Sequence, residues 1–94
     1  MRSKILFLFI LLFSLATQSQ NVAINTDGSN PDASAMLDVK STSKGLLTPR
    51  MTAAQRTAIS SAATGLLIYQ TDGSAGYYYY DGSSWLQISS SATV

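Results

Sequence analysis

The 94-residue chain contains no cysteine, no histidine and no glutamate. The absence of cysteine and histidine excludes Ser-His-Asp and Cys-His catalytic arrangements, zinc sites of the usual nitrogen and sulfur type, and disulfides. Paired catalytic carboxylates would have to come from the five aspartates, most of which lie among turn-forming residues. The sequence therefore predicts a protein that is not an enzyme and that holds no metal or cofactor.

The chain also carries little charge of either sign, with six lysine and arginine residues against five aspartates. Two of the six cations, Arg2 and Lys4, lie at the N-terminus, which leaves four against five in the remainder. A nucleic-acid-binding protein would show a basic face or stripe. Nucleic acid is therefore not an expected partner.

The one long apolar run, Ile5 to Leu15, lies directly after Arg2 and Lys4 and is interrupted only by Ser14. The run is shorter than the ~20 residues that span a bilayer, and small polar residues follow it. This order is typical of a cleavable secretory signal peptide. Residues 1–19 are therefore predicted to be a signal-peptide helix. The rest is expected to be extracytoplasmic (periplasm, outer surface or extracellular) with no stable membrane span.

Residues 20–64 are predicted to form an extended, turn-rich segment with a single short helix at about 52–60. Thr52 followed by Gln55 has the spacing of a capping box, which favours a helix start at this point. A helix of about two turns does not persist alone in water, so it must pack against another element.

Residues 65–88 show a β pattern. Three segments rich in aromatic and β-branched residues are separated by Asp-Gly turns, which favour hairpins: Leu66 to Thr71, Tyr77 to Tyr80, and Trp85 to Ile88. Residues 89–94 are predicted to form a flexible tail. The predicted fold class is α+β: a small antiparallel β-meander with one short helix and an extended N-terminal segment, preceded by the signal-peptide helix.

The most distinctive local feature is a run of tyrosines followed by a tryptophan: Tyr77, Tyr78, Tyr79, Tyr80 and Trp85. Alternation in a strand places Tyr77 and Tyr79 on one face and Tyr78 and Tyr80 on the other. Such residues are enriched at interfaces and can stack on sugar rings, so these five are the candidate ligand or interface contacts. Packing in the core and against a neighbouring subunit is favoured over a ligand platform, because so short a chain has few other large side chains.

The segment from Asp27 to Asp32 offers clustered oxygen atoms, which are the ligands that calcium prefers. The EF-hand spacing is not met, and no bidentate glutamate follows. A loop rich in Asx turns is therefore the favoured interpretation.

Three motifs follow one another along the chain in this order: Leu37-Asp38-Val39, Gly45 to Thr52, and Gly82 to Trp85. Together they resemble the N-terminal module of secreted, tail-fibre-like surface proteins of Gram-negative bacteria. Longer members continue into fibrous repeats and often end in an intramolecular chaperone domain that trimerises and cleaves itself. The resemblance covers residues 21–88 and implies a non-enzymatic structural or adhesive unit, with no catalytic residue to carry over. Because the chain stops after the module, a truncated member is a further expectation.

Self-association is the expected partnership, since a small domain without disulfide or metal is marginal on its own. Alternation places Leu67 and Tyr69 on one face of the first β segment and Leu66 and Ile68 on the other. One short helix covers only one face, which leaves the other to a neighbouring subunit. The expected trimer stoichiometry comes from the resemblance alone. A surface glycan or protein is another expected partner. The alternative function is a small carbohydrate-binding module that uses Tyr77–Tyr80 and Trp85.

Overall fold

The computed structural model describes residues 20–90. The predicted signal peptide, residues 1–19, and residues 91–94 of the predicted tail lie outside the described residues. The chain divides into two compact units at the boundary between Lys44 and Gly45, and each is described by itself. No helix among the described residues is long and apolar enough to cross a membrane.

The first unit contains a two-stranded parallel sheet formed by β1 (Val22–Ile24) and β2 (Leu37–Val39). The sequence predicts an extended segment here, and the structure adds the pairing of its two strands. Parallel strands need a long connection, and the turn-rich residues 25–36 provide it. The pairing could not be predicted, because three-residue strands carry too little pattern to fix a register.

The second unit contains a four-stranded sheet with strand order β3-β4-β5-β6. Its strands are β3 (Arg50–Met51), β4 (Leu67–Gln70), β5 (Gly76–Tyr80) and β6 (Trp85–Gln87). Strands β4, β5 and β6 pair antiparallel, in the three segments where the sequence predicts strands. The sheet as a whole is not a simple meander, because β3 adds to β4 in parallel. With only two residues, β3 shows no alternation in the sequence.

Helix α1 (Ala53–Thr57) begins at the predicted capping box. The Gln55 backbone N–H donates to Thr52 Oγ1 at 3.2 Å, and the Thr52 N–H donates to Gln55 Oε1 at 2.9 Å. The helix ends earlier than the predicted residue 60. The Ile59 N–H bonds the Arg56 carbonyl three residues back, and Ser61 has a φ of 52°, so the helical geometry is lost there.

The core of the second unit lies on one side of the sheet. Ile68 and Tyr78 face each other across β4 and β5 and are 2% and 8% exposed. Gln70 lies on the same face by alternation and is 2% exposed. Helix α1 contacts β4. The short helix therefore packs against the sheet, as a helix of this length must in order to persist.

Candidate functional site

The face of the sheet that α1 covers is called the covered face. The side chain of Arg56 lies over its aromatic rings. The guanidinium carbon of Arg56 lies 4.5 Å from the centroid of the Tyr78 ring and 5.4 Å from that of Trp85. Tyr80 pairs with Trp85 across β5 and β6, and their rings meet edge-on at 5.4 Å. Three of the five aromatic candidates, Tyr78, Tyr80 and Trp85, therefore lie on this face.

The polar atoms of the covered face bond to one another. Arg56 Nε donates to Gln70 Oε1 at 2.8 Å, and Gln70 Nε2 donates to the Asp72 carbonyl at 2.8 Å. The Tyr78 hydroxyl donates to the Ser74 carbonyl at 2.7 Å. A buried amide with both ends bonded stabilises the fold. The covered face is therefore a packed structural layer.

The opposite face, called the open face, is formed by Leu67, Tyr69, Tyr77, Tyr79 and Leu86. The register pairs Leu67 with Tyr79, Tyr69 with Tyr77, and Tyr79 with Leu86, so the five side chains are contiguous. The rings of Tyr69 and Tyr77 meet edge-on with centroids 5.0 Å apart. Leu67, Tyr77 and Leu86 remain 38–40% exposed. The one helix among the described residues contacts the other face, so this apolar face stays open.

A small pocket of about 110 Å³ lies at the β3 side of the open face, lined by Leu47, Thr48, Arg50, Tyr69 and Tyr77. The Thr48 hydroxyl oxygen is buried and has no hydrogen-bond partner among the described residues. Pockets that hold small molecules usually measure about 300–1,000 Å³. This pocket is therefore sized for a single side chain.

The five aromatic candidates are divided between the two faces of the four-stranded sheet. Tyr77 and Tyr79 belong to the open face, whereas the other three belong to the covered face, as alternation predicts for the tyrosine run. The sequence places Tyr69 on the same face as Leu67, and the structure adds its pairing with Tyr77, but Leu86 is not singled out by the sequence analysis. Applying the same alternation to β6 would have found Leu86, because it lies opposite Tyr79 of β5.

Two aspartates of the first unit, Asp27 and Asp32, are engaged in turns. The Asp27 carboxylate accepts the Ser29 hydroxyl at 2.6 Å and the Ser29 N–H at 2.9 Å, and it lies 3.4 Å from Lys40 Nζ. The pKa of Asp27 is lowered to about 2, and the hydrogen bond from the Ser29 hydroxyl is the largest cause. Asp32 accepts the same two bonds from Ser34, and they lower its pKa too. These are the contacts of an Asx-rich loop, and residues 20–90 contain no cluster of three or more potential metal ligands.

Residues 23–94 match the model of a family described as the phage tail like trimerisation region. The chain belongs to this family. Neither a search of curated proteins nor a search of solved structures gave a match. Membership in the phage tail like trimerisation family confirms the tail-fibre-like resemblance and supports a structural module that associates with its own copies.

Proposed function

We propose that this member of the phage tail like trimerisation family is a secreted, non-enzymatic structural or adhesive module of a fibre-like surface protein. It trimerises through the open face of its four-stranded sheet. The observation that carries this proposal is the open face itself. It is a contiguous apolar surface on the side of the sheet opposite the helix.

The energetics of the open face favour self-association. Removing the exposed remainder of Leu67, Tyr77 or Leu86 from water contributes about 1 kcal/mol for each side chain. The central strands carry no charge on this face, and the nearest cation is Arg50, at the β3 edge. In a trimer, side chains next to the threefold axis meet their own counterparts. The central strands can meet there without repulsion, with Arg50 at the edge of the face.

The same proposal places the working protein outside the cytoplasm. The charged, apolar and small-residue order of residues 1–19 supports export and removal of that segment. Intact-mass measurement and N-terminal sequencing of the secreted protein test this. A mature chain that begins between Gln18 and Val22 is expected, and a secreted chain that retains Ile5 to Leu15 would contradict the proposal.

Sedimentation equilibrium at micromolar concentration tests the trimer. The parent protein is expected at three chain masses, and Leu86→Asp is expected to shift it towards monomer because it places a carboxylate in the open face. Ala54→Asp puts the same charge on the exposed surface of α1 and is expected to leave the trimer intact. A folded parent monomer would overturn the proposal. Equal masses for a trimeric parent and both variants would overturn the assignment of the open face.

The carbohydrate-binding alternative has less support, because its five aromatic side chains are divided between two faces and the adjacent pocket is small. Of the two candidate aromatics on the open face, Tyr77 and Tyr79, Tyr77 is the more exposed and is the one that a ligand would reach first. Glycan-array binding that is lost in Tyr77→Ala, with sedimentation unchanged, would favour this alternative over the structural role.

A further inference from the structure

The two-stranded sheet of the first unit has one face made of large apolar side chains. The register pairs Val22 with Leu37 and Ile24 with Val39, so alternation puts all four on the same face. Their exposed fractions are 54%, 56%, 57% and 43%, in that order. These four residues are called the apolar ladder.

The other face of this sheet is occupied by its own connecting segment. Ala23 pairs with Asp38 there, and the Asp38 carboxylate accepts the Asp32 N–H at 2.8 Å. Lys40 follows β2 with the same alternation as Asp38, and its ammonium group lies 3.4 Å from Asp27 Oδ2. The charged side chains next to β1 and β2 are therefore engaged away from the apolar ladder, which carries no charge.

A sheet of this kind requires cover on its apolar side. Parallel strands are normally buried on both faces, and two strands alone are marginally stable in water. Within residues 20–44 the connecting segment covers only the Asp38 side, and every side chain of the apolar ladder stays about half exposed. A further surface must therefore pack against the ladder.

A second copy of the chain is the occupant that the family match favours. The match begins at residue 23, inside β1, so residues 23–44 of the first unit, with three of the four ladder residues, fall within the trimerisation region together with the four-stranded sheet. In a trimer, residues that lie next to the threefold axis meet their own counterparts. An uncharged apolar surface tolerates such a meeting, since no like charges are brought together.

We propose that the apolar ladder is a second contact between copies of this chain, distinct from the open face, and that the ladders of three copies meet at the trimer axis. The inference rests on the proposed self-association but concerns a different surface in a different unit. Its failure is therefore separable from that of the proposed function.

The natural lack of cysteine makes thiol trapping a clean test, because an introduced cysteine is the only thiol in the chain. Ile24→Cys places it in the apolar ladder, and Ala33→Cys places it in the exposed connecting segment as a control. The full-length gene product is purified, oxidised, and separated by non-reducing electrophoresis. Disulfides form where Cα atoms approach within about 7 Å. Covalent dimers are expected to approach about two-thirds of Ile24→Cys chains, because three thiols at an axis form one pair.

Val39→Cys is a second ladder variant, which keeps the test decisive if Ile24→Cys fails to fold. Each variant is also treated with a short bis-maleimide reagent, which cross-links thiols that lie too far apart to form a disulfide. Either ladder variant is expected to cross-link at least five-fold faster than Ala33→Cys. Rates equal to the control in a protein that sediments as a trimer would overturn this inference and leave the proposed function standing. A protein that sediments as a monomer would overturn both.

Discussion

The guanidinium carbon of Arg56 lies 4.5 Å from the centre of the Tyr78 ring, and Arg56 Nε donates to the side chain of Gln70 at 2.8 Å. The cation comes from a five-residue helix that has no buried residue of its own. Arg56 therefore links the helix to the sheet: its charge lies over aromatic rings, and its Nε–H satisfies the acceptor of a buried amide.

Arg56→Lys is predicted to destabilise the second unit by about 1–3 kcal/mol. Lysine has no donor at the position of the Nε–H that meets Gln70 Oε1, and a buried acceptor left without a donor costs about that amount. Weaker stacking on Tyr78 adds to the loss. Chemical denaturation followed by tryptophan fluorescence measures the effect, since Trp85 lies beside Arg56.

The matched control is Arg50→Lys, because Arg50 is exposed and its side chain makes one long hydrogen bond, to the Thr48 carbonyl at 3.5 Å. Its stability is expected to stay within about 0.5 kcal/mol of the parent. Equal losses in the two variants would show that the stacked geometry of Arg56 contributes nothing particular.

The sequence predicts the parts of this fold that depend on local chemistry. The start of α1 follows from the spacing of Thr52 and Gln55, and the division of the tyrosine run between two faces follows from strand alternation. Strands β4 to β6 follow from aromatic content and Asp-Gly turns. Each of these depends on residues that are close together in the chain.

The contacts that the sequence does not predict join residues that are far apart in the chain. The parallel pairing of β1 with β2 depends on the path of residues 25–36, and the addition of β3 to β4 depends on only two residues. The stacking of Arg56 on Tyr78 requires the helix to cross the sheet at one place. No local pattern encodes these distances.

Thr52→Ala is predicted to cost about 1 kcal/mol, the usual loss for a side-chain N-cap. The structure sets an upper limit on this loss, because the Asp72 carboxylate also accepts from the first turn, through the Ala53 N–H at 2.7 Å. Thr52→Ser retains the hydroxyl and is expected to lose less than half as much. An unchanged denaturation midpoint in Thr52→Ala would show that Asp72 alone holds the helix start.

Gly82→Ala is predicted to destabilise the β5–β6 turn by about 1–3 kcal/mol, the cost of a strained backbone position. Gly82 has a φ of +104°, and a Cβ there would lie 2.9 Å from Thr64 Oγ1. Gly45→Ala is the control, since nothing lies within 4 Å of its added Cβ, and it should stay within about 1 kcal/mol of the parent. Thermal unfolding of both variants checks the difference, and equal midpoints would contradict it.

Asp27 is predicted to stabilise the first unit in a pH-dependent way. Its pKa is lowered from 3.8 to about 2, chiefly by the Ser29 hydroxyl. A lowered pKa in the folded state means that the stabilisation is fully present above about pH 4 and is lost as the pH falls through about 2. Titration of the carboxyl carbon by NMR is expected to give the lowered pKa directly. Ser29→Ala should raise it towards 3.8, whereas Ser34→Ala should raise the pKa of Asp32 and leave Asp27 unchanged. An Asp27 midpoint near 3.8 in the parent protein would show that the Ser29 contacts do not persist in solution.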